Sequence, residues 1–266
     1  MTGDPFLWLL LAKMLVTAVV IVAASAAVER SGPVVGALIA TLPVSAGPAL
    51  VFIAMDHGAN FLSAATLAGL PASAATVVFI VTYVAVARRN SLVVSLGCTF
   101  AAWAAAQGAI AGIGWSFAGA VVLNVLLFLL GFGMLRLLPT DTPVPRVASR
   151  WFDVLLRAAA VMAIVAVVTL AARWIGPGAA GIVALVPAAL TTLIVILHSR
   201  VGGPATATVI ARMLPGMIGF TTGLAVVHLA AVPWGAAAAP GLGLAVCVGW
   251  NLILLANHLR THRRMA

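Results

Sequence analysis

Residues 32–71 read GPVVGALIATLPVSAGPALVFIAMDHGANFLSAATLAGLP, and residues 176–215 read GPGAAGIVALVPAALTTLIVILHSRVGGPATATVIARMLP. Gly32-Pro33 returns as Gly176-Pro177, Pro43 as Pro187, Gly58 as Gly202 and Leu70-Pro71 as Leu214-Pro215, each 144 positions later. Outside the quoted stretches the same offset carries Lys13 onto Arg157 and Gln107 onto Asn251. A duplicated apolar unit that keeps a cation in each copy is the pattern expected of a membrane transporter.

With 64% of its 266 residues hydrophobic, 7% charged and a mean hydropathy of +1.22, the chain lies outside soluble domains, where roughly half the residues are apolar. Lipid offers backbone N–H and C=O groups no water, so helices are the expected spanning elements. Runs of about 20 apolar residues match a hydrocarbon layer about 30 Å thick. The expected fold class is therefore all-α and polytopic. A formal charge of +9 would suggest nucleic acid for a soluble chain. Here the arginines stand between apolar runs, where they set orientation and meet anionic lipid, and no nucleic-acid partner is expected. Cys98 and Cys247 lie inside apolar runs and read as small hydrophobes, not as a disulfide or a metal site. The N-terminus lacks the charged start and cleavage site of a signal peptide, so Phe6 onward reads as a retained first span.

Gly, Pro and Arg punctuation divides the chain into nine expected spans, near 6–28, 33–55, 59–87, 92–113, 116–138, 151–174, 178–198, 204–231 and 237–258. On this map Arg30, Arg88, Arg89, Arg136, Arg146, Arg150, Arg200, Arg260, Arg263 and Arg264 share one side, and Arg173 alone takes the other. The positive-inside rule then puts the N-terminus outside and the C-terminus in the cytoplasm. Spans one to four match spans six to nine, and the fifth has no partner. The expected organisation is a four-helix repeat over 4–113, a linker helix over 116–138 and an inverted repeat over 148–260, a 4+1+4 plan that places a site at the bilayer midplane.

Pro43 and Pro187 fall about 15 Å into their spans, near mid-membrane, with Pro71 and Pro215 at similar depth in the next spans. Each removes a backbone donor and hinders the carbonyl one turn back, so four helices are expected to be interrupted near one plane. Leu42-Pro43-Val44-Ser45-Ala46-Gly47-Pro48 carries enough breakers to unwind, and Thr191 and Thr192 add hydroxyls in the second copy.

Lys13 and Arg157 lie about 10 Å from opposite membrane ends, and Arg212 stands three residues before Pro215, where the first copy has Ala68. Asp153, four residues before Arg157, is expected to pair with it along the helix. Lys13 has Leu9 at that place. The acids Asp4, Glu29, Asp56, Asp141 and Asp153 all fall at or near span ends, which argues against a cation exchanger built on a mid-membrane carboxylate. Cations beside opened helices point to an anionic or polar solute. The expected substrate-binding set is Lys13, Arg157, Arg212, Pro43, Ser45, Gly47, Pro187, Thr191, Thr192, Gln107, Asn124 and Asn251. His57, His198, His228, His258 and His262 sit near span ends without ligand spacing and read as interfacial. No catalytic triad, phosphate loop or metal motif is present, so neither an enzyme nor a cofactor is expected.

Each half resembles the GlpM family of small bacterial inner-membrane proteins. The match consists of a basic residue in the first helix, a proline thirty residues on and a glycine fifteen further: Lys13, Pro43 and Gly58, then Arg157, Pro187 and Gly202. Gly181 precedes Pro187 as in the family's run, whereas Gly36 to Pro43 is one residue longer. The resemblance implies a bacterial inner-membrane location. Its link to alginate production implies, as another reading, a non-transporting partner of an envelope or polysaccharide assembly. The layout is also similar to the drug/metabolite transporter plan of inverted four-span units. The function expected is secondary transport by alternating access, with a passive channel as the alternative. Membrane lipid and a second copy of the chain are the other candidate partners.

Overall fold

The computed structural model describes residues 5–30, 46–145 and 150–265. Every regular element among them is a helix: α1 (Pro5–Arg30), α2 (Ala46–Val86), α3 (Leu92–Ile110), α4 (Phe117–Leu137), α5 (Trp151–Trp174), α6 (Pro177–Ala184), α7 (Ala188–Trp234) and α8 (Ala239–Met265). Seven candidate spans are long and apolar enough to cross a membrane, α6 and α7 counting together as one. The chain is a multi-pass α-helical membrane protein.

Two helices exceed a single crossing. α2 has 41 residues and α7 has 47, or about 60 and 70 Å against a hydrocarbon core of about 30 Å. Each contains one non-helical residue, Gly58 (φ 77°, ψ −174°) and Gly202 (φ 80°, ψ 168°). Both occupy a region of backbone space essentially reserved for glycine. These breaks fall where the sequence divides spans two from three and seven from eight, and Pro204 follows the second at the start of the new helical segment. Pro187 (φ −76°, ψ 52°) separates α6 from α7, the interruption expected there. The corresponding stretch with Pro43 and Ser45 lies outside the described residues.

The expectation for Pro71 and Pro215 is corrected, because both lie within helix that continues through them. A side chain of a neighbouring helix bonds the backbone beside each. Leu70 O accepts from Asn124 Nδ2 at 2.8 Å, and Pro215 O accepts from Trp250 Nε1 at 2.8 Å. These bonds tie neighbouring helices to the proline turns; the carbonyls that the prolines themselves free, one turn back, are those of Leu67 and Ala211.

α2 is the central helix, packed against α3, α4, α5, α6, α7 and α8, while α1 leans mainly on α5. α2 and α7 run antiparallel: Ser63 meets His228, Ser73 meets Thr221, and the backbone of Ala87 meets Gly203. α1 and α5 are antiparallel too, with Arg173 4.1 Å over the Phe6 ring at one end and Ile21 packed with Ala158 and Val161 beyond the middle. One apolar cluster joins Ala46–Ala72 of α2 to α5, α6 and the C-terminal part of α7. A second joins Val77–Ala87 to α4 and to residues 190–214 of α7.

The ends differ in charge. Tyr83–His198, Arg88–Pro139 and Arg200–Asp153 contacts gather Arg88, Arg89, Arg136, Arg150 and Arg200 at one end. α8, antiparallel to α7 through Trp250–Pro215 and Cys247–Gly219, brings Arg260 to the same end. Arg173 lies at the other, beside Phe6 and the start of α1.

The glycine breaks are testable by substitution. Gly58→Ala and Gly202→Ala should each lower stability by about 1–3 kcal/mol, since alanine must leave that backbone region. Gly97→Ala, within regular helix with open space around it, should be neutral or stabilise by about 0.5–1 kcal/mol. Thermal unfolding in detergent would separate the two classes.

Candidate functional site

Three side chains form a polar layer between the two apolar clusters. Ser73 of α2 and Asn124 of α4 are buried, and Thr221 Oγ1 of α7 donates to Ser73 Oγ at 3.2 Å. Asn124 Nδ2 donates to Leu70 O at 2.8 Å and Ala120 O at 2.9 Å, while its Oδ1 lies 2.9 Å from Ser73 Oγ. Ser73 Oγ is also 2.7 Å from Leu70 O, so its one proton serves two acceptors. Asn124 thus spends both amide protons on backbone and fixes α4 to α2.

Ion pairs occur away from this layer. Lys13, only 5% exposed, pairs through Nζ with Asp56 Oδ2 and lies 5.6 Å over the Phe52 ring. The acid missing from the helix of Lys13 is therefore supplied across the fold by Asp56, two residues before the Gly58 break. In the second copy Asp153, 4% exposed, accepts from Arg200 Nη2 at 2.6 Å, and its other carboxylate oxygen accepts from the Arg150 backbone N–H at 2.8 Å. Asp153 is thus bonded across the fold to Arg200, two residues before the Gly202 break. Asp56 and Arg200 stand 144 positions apart, so the same site holds opposite charges in the two copies.

The other expected residues are spread out. Arg157 is half-buried in α5, one turn past Asp153, and Arg212 is exposed on α7. Thr191 Oγ1 donates to Pro187 O at 2.7 Å and Thr192 Oγ1 to Ala189 O at 3.0 Å, within the turn after the break. Gly47 stands in the first turn of α2. Gln107 Nε2 and Asn251 Oδ1, equivalent under the offset, are buried without a hydrogen bond to the described residues. Pro43 and Ser45 fall outside the description.

Three of the histidines have partners that spacing did not reveal. His228 Nδ1 lies 3.0 Å from Ser63 Oγ and its ring stacks on Phe117 at 5.3 Å, joining α7 to α2 and α4. His198 Nδ1 is 2.8 Å from Tyr83 Oη. His57 stacks on Phe61 at 4.2 Å. Among the described residues no cluster of three or more His, Cys, Asp or Glu could hold a metal.

No protein-family model, no curated protein and no solved structure matches the chain. The GlpM resemblance rests on the residues quoted for it.

The polar layer predicts a graded response. Asn124→Leu should destabilise by about 1–2 kcal/mol, the range for a hydrogen bond between membrane helices, because Leu70 O and Ser73 lose their partner. Gly133→Ala, with open space around it on the same helix, should change stability by under about 0.5 kcal/mol. Chemical or thermal unfolding in micelles would measure both.

Proposed function

We propose that this chain is a secondary transporter of a small anionic or polar solute, built as a 4+1+4 inverted repeat with nine spans in a bacterial inner membrane. The observation that carries the reading is how each helix meets its own copy. Under a two-fold relation with an offset of 144, α1 should cross α5 near Ala18 and Val161, and α2 should cross α7 near Ser73 and Met217. The Phe6–Arg173 and Ile21–Val161 contacts, and the Ser63–His228, Ser73–Thr221 and Ala87–Gly203 contacts, are disposed about those points. Such crossing at the middle of both pairs is the geometry of inverted-repeat transporters, whose two halves rock about a central site.

Further support comes from the paired breaks at Gly58 and Gly202 and from the charge difference between the ends, which under the positive-inside rule makes the arginine-rich end cytoplasmic. Arg212 is the first contact assigned to the anion. It is exposed on a stretch of α7 whose neighbours from 203 to 220 are otherwise buried or half-buried, and a cation at that depth persists only where it meets water, a headgroup or an anion. Lys13 and Arg157 take positions nearer the two ends.

Reporter fusions should place the N-terminus outside and the C-terminus in the cytoplasm; both termini in one compartment would remove the inverted arrangement. Purified protein in liposomes should take up members of a panel of labelled hydroxy acids, amino acids and phosphate esters with saturable kinetics. Arg212→Gln should cut uptake of the anionic members by about tenfold, the loss expected for one charge-assisted contact. Flux that never saturates would favour a channel, and no flux at all a non-transporting assembly partner.

A further inference from the structure

We propose that Lys13–Asp56 and Asp153–Arg200 are latches at opposite ends of the membrane that open in turn, each holding shut a short helical segment hinged at glycine. The inference rests on the alternating-access reading above and names the residues that carry out the alternation.

Four observations converge on it. The pairs are buried on one side, with Lys13 at 5% and Asp153 at 4% exposure and their partners at 26% and 20%. Because α1 and α5 cross near Ala18 and Val161, Lys13 and Asp153 fall on opposite sides of the crossing, about 20 Å apart along the helix axes. Asp56 and Arg200 end the segments 46–57 and 188–201, and each lies two residues before the one non-helical residue of its long helix. Each pair joins such a segment to the first helix of its own repeat, α1 or α5. The pair is therefore a tie that must part if the segment is to swing about its glycine, joined at the second segment by the Tyr83–His198 bond, and hinges of this kind absorb a large φ/ψ change at one position.

The opposite polarity of the two latches also has a use. In the first the cation sits on α1 and the acid on the hinged segment. In the second the acid sits on α5 and the cation moves with the segment. An anionic solute can thus compete for Lys13 against Asp56 at one end and for Arg200 against Asp153 at the other, so the same charge on the cargo loosens either latch. Both pairs are closed here, which describes an occluded arrangement.

The test introduces one reporter thiol at a time, at Ala49→Cys or Thr192→Cys, in a Cys98→Ser, Cys247→Ala background. Both positions are buried and lie two turns toward the membrane centre from Asp56 and Arg200. With the protein in nanodiscs, labelling by a membrane-impermeant methanethiosulfonate is timed. Asp56→Asn should speed labelling at position 49 and slow it at position 192, each by about tenfold, as a shifted two-state equilibrium requires. Asp153→Asn should do the reverse. Lys13→Met and Arg200→Met break the same pairs from the other partner and should repeat the pattern where an Asn variant fails to fold. The exchanged pair, Lys13→Asp with Asp56→Lys, should return both rates to those of the parent.

Faster labelling at both positions from either break, or a change confined to the end that was altered, overturns the proposal, since plain structural ties loosen only their surroundings. An exchanged pair that labels like the single variants also overturns it. Uptake by the parental chain tests the transport reading separately, because labelling needs no substrate.

Discussion

A polar group inside hydrocarbon must find its partner within the protein, and this constraint accounts for most of what holds the helices in place. A proline in a helix removes one donor. The carbonyl next to Pro71 accepts from Asn124 and Ser73, and that of Pro215 from the indole of Trp250, so side chains bond the backbone at both proline turns. The first of these explains the position of α4. Its Asn124 amide bonds Leu70 O and so ties α4 to α2 midway along that helix. The same rule places Lys13 and Asp153 in ion pairs, as one partner of a buried pair left alone would cost several kcal/mol.

Apolar packing supplies the bulk and the polar contacts supply the register. The two apolar clusters lie on either side of the Ser73–Asn124–Thr221 layer, one toward the Arg173 end and one toward the arginine-rich end. Between hydrocarbon tails and leucine side chains there is little to choose, so burial alone does not set how far α2 slides along α7. The sequence of polar rungs does: Ser63 with His228 at one end, Ser73 with Thr221 in the middle, Tyr83 with His198 toward the other. The segments before Gly58 and Gly202 stand outside this ladder except through His198, which leaves them the parts most free to move relative to the α2–α7 pair.

Much of this was legible in the residues. Hydropathy marks the helices because a span needs a fixed length of apolar chain. The breaks at Gly58, Gly202 and Pro187 were readable because each is written in a residue with special backbone behaviour. What was not readable lies across helices. Periodicity along one helix says which face a side chain occupies but not what lies opposite, so Asp56 as the partner of Lys13, Arg200 as that of Asp153 and Ser63 as that of His228 carried no local signal. Pro71 and Pro215 lie in helix that continues through them, and whether a proline bends or breaks a helix depends on the packing around it, which local sequence does not carry. One signal was present unused, since the offset that matched the prolines also set Asp56 against Arg200.

The helix pairs α2–α3 and α7–α8, which the 144-residue offset sets against each other, pack differently. In the second copy α7 and α8 approach closely: a Cβ at Gly219 would fall 2.7 Å from Trp250, and one at Gly223 would fall 2.6 Å from Cys247 Sγ and 2.8 Å from Gly243 O. Between α2 and α3 the contact is aromatic, Phe79 against Phe100 at 5.4 Å, with Trp103 beside Phe100 in α3 at 6.3 Å, and Ser95 Oγ, Trp103 Nε1 and Gln107 Nε2 are buried without hydrogen bonds to the described residues. Backbone contact between glycines gives a stiff interface, whereas aromatic side chains with unmet polar neighbours can repack. The α7–α8 seam is thus set by glycine and backbone contact, and the α2–α3 seam by aromatic side chains that leave more room to repack.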